Sequence, residues 1–152
     1  MEHRKRESTG ESVKVVFVVP QTESGYLFEH LWAIKRPIGY QIDSIPFMAP
    51  SIALGDIVSV ELDDEDGNLY FEHLKQASGN SVLRLLYDGN VDSVPETLTD
   101  WLDRRGLSYE TLRSHSIVAI HIPAEVDYYE CVAQVKDLPG VVDYEEACIA
   151  SV

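Results

Sequence analysis

The chain has 152 residues, and 26 acidic against 12 basic side chains leave it at −14. That balance argues against phosphate-backbone binding, which needs a basic footprint, and against anionic membrane surfaces. It favours solubility and attraction to a basic partner. No apolar run approaches the ~20 residues that cross a bilayer. The charged opening MEHRKREST has no apolar stretch behind it, so no secretory signal is expected and the expected location is the cytoplasm.

Residues 1–12 mix charge with Ser, Thr and Gly without periodicity and predict a disordered tail. Val13–Val19 is β-branched and nearly continuously apolar, which predicts a central strand closed by Pro20. Tyr26–Arg36 alternates, and Pro37-Ile38-Gly39 turns it into Tyr40–Ile45, a hairpin. Pro46 and Pro50 cannot donate to a ladder, so they stop that strand and send the chain across the fold. The link between them and Gly55 (Phe47, Met48, Ile52, Ala53, Leu54) is too apolar for a solvated loop and is expected to plug the end of a small barrel. Ile57–Leu62 and Asn68–Gln76 flank Asp63-Asp64-Glu65-Asp66-Gly67, and Asp-Gly between two alternating runs signals a hairpin.

Ser78-Gly79-Asn80 marks the expected internal boundary. Beyond it Ser81–Tyr87 predicts a strand. Ser93-Val94-Pro95-Glu96 predicts a capping box opening a helix with Val94, Leu98, Trp101 and Leu102 on one stripe. Ser108–His115 suggests a short second helix, Ile117–Ile122 a strand, and Glu125–Leu138 a helix burying Val126, Tyr129, Val132 and Ala133. Val141–Ile149 is the last strand. The expected class is α+β: a small antiparallel β-barrel or rolled sheet over 13–78, then a ferredoxin-like β-α-β-α-β layer over 79–152.

Little here carries chemistry. Aligning Gly67 with the glycine of a calcium loop puts Leu62 at the first ligand position and His73 where a bidentate glutamate belongs, so a charged hairpin tip is the better reading. Histidines 3, 30, 73, 115 and 121 show no metal-ligand spacing, and no phosphate-binding or nucleophile motif occurs. No metal or cofactor is expected. Cys131 and Cys148 form no CxxC pair and suit buried thiols better than a disulfide. From Pro123 onward, Glu125, Asp127, Glu130, Asp137, Asp143, Glu145 and Glu146 face a single Lys136. Tyr144 lies among them, as does Tyr128, expected to point outward from its helix while Tyr129 points inward.

One set of residues carries a family likeness. Val13-Lys14-Val15 through Pro20, Glu29-His30-Leu31-Trp32-Ala33, Tyr40-Gln41-Ile42-Asp43-Ser44-Ile45-Pro46-Phe47-Met48-Ala49, Ala53-Leu54-Gly55-Asp56-Ile57-Val58 and Ser78-Gly79-Asn80-Ser81 together resemble a widespread bacterial domain family of unknown function. Its core reads LWA…IDxIPFxA…LGD, and this chain departs from it at His30, where a small polar residue is common. The resemblance covers residues 13–88, with the remainder similar in layout, and it implies no assigned activity.

Size and charge, by analogy, lead to an acidic cytoplasmic binding protein. Its expected role is that of an immunity protein covering the active cleft of a basic toxin, such as a nuclease, with no nucleic-acid or membrane partner. The expected contact residues are Asp63, Asp64, Glu65 and Asp66 at the hairpin, with Tyr128, Asp143, Tyr144, Glu145 and Glu146 near the C-terminus. The alternatives are a small-ligand regulatory module and an enzyme with a site assembled around His30, His115 or His121.

Overall fold

The β-branched run Val13–Val19 forms the middle of β1 (Ser12–Pro20) in a computed structural model that describes residues 10–150 apart from 22, 24 and 92. The tail expected over 1–12 lies outside the described residues up to Thr9, and Ser12 already opens β1. β1 pairs antiparallel with β2 (Tyr26–Arg36), from Ser12 opposite Ile34 to Pro20 opposite Tyr26. β3 (Gly39–Ile42), β4 (Ile57–Leu62) and β5 (Leu69–Gln76) continue the up-and-down order. β3 is shorter than the expected Tyr40–Ile45. Past Ile42 the chain leaves the ladder, and Ser44 Oγ accepts from Trp32 N–H at 3.1 Å.

The five strands close into a barrel. In an up-and-down barrel with an odd number of strands the first and last run the same way. β1 therefore meets β5 in parallel, Val15 opposite Leu69 and Val16 opposite Tyr70, which corrects the wholly antiparallel expectation at this seam. Alternation turns Val15, Phe17, Leu31, Ala33, Ile42 and Val58 inward. Ala49 and Ile52 of the apolar link join the same cluster, so the link plugs the barrel as its composition suggests. Glu29 holds the plug: its carboxylate accepts from the N–H groups of Phe47, Met48 and Ala49 at 2.7, 3.0 and 2.7 Å.

The second sheet contains β6 (Ser81–Tyr87), β7 (Tyr109–Leu112), β8 (Ile117–Ile122) and β9 (Val141–Cys148), in the order β7-β8-β6-β9 with every pair antiparallel. Helix α1 (Glu96–Arg105) follows β6, and α2 (Tyr128–Val135) follows β8. The element order is thus β-α-β-β-α-β, one strand richer than expected. That strand comes from Ser108–His115, expected to be helical. Tyr109–Leu112 instead pairs with β8, and of the expected helix only a single 3-10 turn, Arg113–His115, remains, closed by Ser116 at φ 55°. Cross-strand partners for Tyr109 and Thr111 outweigh any local helical preference.

Two helix boundaries also moved. α1 begins at Glu96 with Pro95 as its N-cap and no side-chain capping bond, so Ser93 caps nothing. Proline disfavours helical backbone at the residue before it, which bars Val94 from the first turn. α2 is shorter than Glu125–Leu138, because the Asp127 side chain accepts from Glu130 N–H at 3.1 Å and starts the helix at Tyr128. The buried face is then Tyr128, Cys131 and Val135, and Ala133 is exposed.

Both helices pack on one face of this sheet, Leu98, Trp101, Leu102, Tyr128, Cys131 and Val135 against Leu83, Leu85, Val118, Ile120 and Ile122. Each fully buried aliphatic side chain here contributes roughly 1.5–3 kcal/mol. On the opposite face, Val82 and Ala119 pack against Ile45 and Ala53 of the link. The link therefore seals the barrel on one side and covers part of the sheet on the other.

A latch of polar residues fixes this arrangement. Asp56 is buried; its Oδ2 accepts from Ala53 N–H at 3.0 Å, and its Oδ1 from the N–H and hydroxyl of Ser78 at 2.8 and 2.7 Å. Asn80 donates to Leu54 O at 2.8 Å and accepts from Ala124 N–H. Gly55, at φ +91°, lies where a Cβ would stand 3.1 Å from Ser78 Cβ, so the motif Leu54-Gly55-Asp56 is a joint between the two sheets.

Candidate functional site

β9 is an edge strand whose one neighbouring strand is β6; near its end, Ala147 O also accepts from Ser51 N–H of the link at 2.8 Å. Strand alternation distributes its acids over both faces. Asp143 stands opposite Leu86 and Glu145 opposite Arg84, on the face turned toward the link. Tyr144 stands opposite Leu85 and Glu146 opposite Leu83, on the face covered by the helices. The five C-terminal residues singled out from the sequence therefore do meet along one strand and its neighbouring helix, but on two faces.

On the helix side, Tyr128 is 7% exposed, buried rather than outward-facing, and its hydroxyl donates to Glu146 Oε2 at 2.8 Å. Burial, and next the bond to Glu146, push its phenol far above the ordinary tyrosine range. Tyr129, expected inside, is 66% exposed and meets Tyr128 edge-on at 5.3 Å. Val126 and Val132, expected inside, are half-buried against the same core, so the expected face is right at its edges and wrong at Tyr129 and Ala133, which are exposed. Tyr129, Val142 and Tyr144 are exposed and add aromatic and apolar surface to the acidic edge.

On the link side, two rows run across the strands. Leu112, Ile117, Leu86 and Asp143 form one, and Glu110, Ala119, Arg84 and Glu145 the next. Arg84 is buried. Its Nη1 donates to Glu145 Oε1 at 2.7 Å, its Nη2 to Ala49 O at 2.5 Å and its Nε to Pro46 O at 3.3 Å. Where the link stops covering the sheet, a hollow of about 190 Å³ remains, bounded by Arg84, Leu86, Ile117, Asp143 and Glu145 with Leu85 and Tyr144. Arg84 was missed in the sequence, although a lone cation inside the apolar run Ser81–Tyr87 was a signal.

The hairpin acids are a separate feature. Asp63 Oδ1 accepts from Glu65 N–H and Asp66 Oδ1 from Asn68 N–H, each at 2.8 Å, while Tyr70 donates to Asp66 Oδ2 at 2.6 Å. The tyrosine bond holds the Asp66 carboxyl below its usual range. Asp63 and Asp66 are therefore bound into their own turn, and Asp64 and Glu65 project from its tip as exposed side chains. A polar concavity of about 380 Å³ beside Glu61, Leu62, Asp63, Asp64 and Tyr70 shares no residue with the hollow on β9.

No group of three or more metal-ligating side chains assembles among the described residues. His30 lies on the barrel strand β2, whereas His121 lies on β8. His115 lies in the turn before β8 and five residues separate it from His121; the strand from Ile117 to His121 alone spans roughly 13 Å. Cys131 and Cys148 are free thiols. No described helix is long and apolar enough to cross a membrane.

Comparison with known proteins adds the following. Residues 29–140 match the model of a family described as "Domain of unknown function (DUF4265)". No curated protein matches. A solved structure described as "Novel crystal structure of a hypothetical protein from Neisseria gonorrhoeae" aligns with a TM-score of 0.70 over 97% of this chain and 100% of its own, at 23% identity. That likeness supports the fold.

Proposed function

The chain belongs to the DUF4265 domain family, and we propose that it is an acidic protein-binding module, in its most specific form an immunity protein that blocks the cleft of a basic toxin. The observation that carries this reading is the edge strand β9. It joins Asp143, Glu145 and Glu146 to exposed Tyr144, Val142 and the neighbouring Tyr129. Exposed aromatic groups beside charged ones are a frequent interface composition, and a net charge of −14 speeds encounter with a cationic protein. Self-pairing of two copies along β9 would set like charges against each other, so the edge suits a basic partner better than a second copy. We read the β-α-β-β-α-β connectivity as ferredoxin-like, an arrangement whose helices occupy one face and leave the other face and the edges for contacts.

The test is binding to the protein encoded beside this chain, measured at low salt and at about 0.3 M, where the screening length is well under 10 Å. We expect affinity to fall steeply with salt, and Asp143→Lys with Glu146→Lys to slow association more than it speeds dissociation. A salt-insensitive complex, or one indifferent to both substitutions, overturns the reading.

A further inference from the structure

We propose that the hollow between Leu86, Ile117, Asp143 and Glu145 receives one long cationic side chain, an arginine or lysine, from a basic protein partner. This rests on the protein-binding reading above and assigns it a specific anchor point. The hollow exists because the link covers Val82 and Ala119 and then turns away, leaving the next row of the sheet without a cover. Leu86, at the centre of that row, is 39% exposed.

Size decides the class of occupant. At about 190 Å³ the hollow is below the roughly 300 Å³ at which small-molecule pockets begin, and it suits one side chain. Charge decides the sign. The Nε, Nη1 and Nη2 atoms of Arg84 already donate to Pro46 O, Glu145 and Ala49 O, so Arg84 is committed to the protein itself. With Arg84 set against Glu145, Asp143 supplies the surplus charge, in register with Leu86. An incoming anion would meet two carboxylates at the rim. A long cation instead lays its methylene stem on Leu86 and Ile117 and brings its head to Asp143 and the outer oxygen of Glu145. A second copy of this chain would bring more negative charge to the same place and is disfavoured.

The probe is a short blocked peptide with one arginine, Ac-Gly-Arg-Gly-NH2, titrated into the full chain with methyl groups observed by NMR. The same peptide with norleucine in place of arginine is the control. We expect saturable shifts at the Leu86 and Ile117 methyls with the arginine peptide, at least several-fold weaker with norleucine, and several-fold weaker again in Asp143→Asn. Leu86→Trp, which fills the hollow and leaves its carboxylates in place, should abolish the Ile117 response. Equal responses to both peptides, or shifts confined to the Asp64-Glu65 hairpin, overturn the proposal. If the hollow fails while a protein partner still binds β9 in a salt-dependent way, this inference falls alone. Loss of both removes the broader reading with it.

Discussion

Arg84 and Glu145 form an ion pair at 2.7 Å whose two ends have unlike surroundings: the arginine side chain is 6% exposed and the glutamate 65%. Glu145 can hydrate on its own, whereas Arg84 also satisfies two link carbonyls, Pro46 O and Ala49 O. The arginine is thus foremost a tie between the sheet and the plug.

Unequal costs follow from that asymmetry. Arg84→Met should destabilise the protein by about 2–4 kcal/mol, since it strands buried carbonyl groups. Glu145→Gln should cost less than ~1 kcal/mol, as expected of an exposed partner. Urea unfolding of both variants measures this, and the reverse ranking would show that the ion pair outweighs the carbonyl bonds.

At the joint between the sheets, Asp56 accepts three hydrogen bonds while buried. Asp56→Ala should cost about 2–4 kcal/mol. Asp56→Asn should fall between the two, because its amide turns a donor toward an N–H that needs an acceptor. A loss under about 0.5 kcal/mol for the alanine variant would mean that apolar packing alone holds the joint.

Tyr128 gives a pH signature. Its phenol is raised in the folded state by burial and by the bond to Glu146, whereas in the unfolded chain it ionises near pH ~10. A raised acid contributes stability that is complete below the unfolded value and is lost as pH climbs above it. Stability should therefore decline above about pH 10 in the native sequence, and Tyr128→Phe should flatten that decline after a neutral-pH cost of about 1 kcal/mol. Parallel slopes for the two proteins would show that other groups drive alkaline unfolding.

Both thiols should be inert in the folded protein. Burial pushes Cys131 and Cys148 above the ordinary thiol range, and the pull of Arg105 on Cys131 only partly opposes it. A thiol-labelling reagent at mildly alkaline pH should react slowly until denaturant is added. Fast labelling of Cys131 in native buffer would contradict its place in the helix–sheet core.

The barrel was legible in the sequence because its signals are local. Val13–Val19 is a β-branched run, the later strands up to Gln76 alternate, and Asp66-Gly67 marks a turn; the proline-containing apolar link is equally plain, although β3 ends at Ile42, ahead of Pro46. The acidity of the C-terminal segment was equally legible, since charge is counted without reference to fold. Three things needed the tertiary structure. Tyr109–Leu112 became a strand because β8 offered it a ladder, a partner absent from its own sequence window. The start of α2 followed from Asp127 capping, and the burial of Tyr128 in place of Tyr129 from how the helix packs on the sheet. The hollow on β9 arose where a link from one sheet stops short on the face of another, bringing Arg84 to Ala49 across 35 residues of chain. Short-range preferences travel with the residues themselves, whereas a surface made by the meeting of distant segments exists only once the chain has closed upon itself.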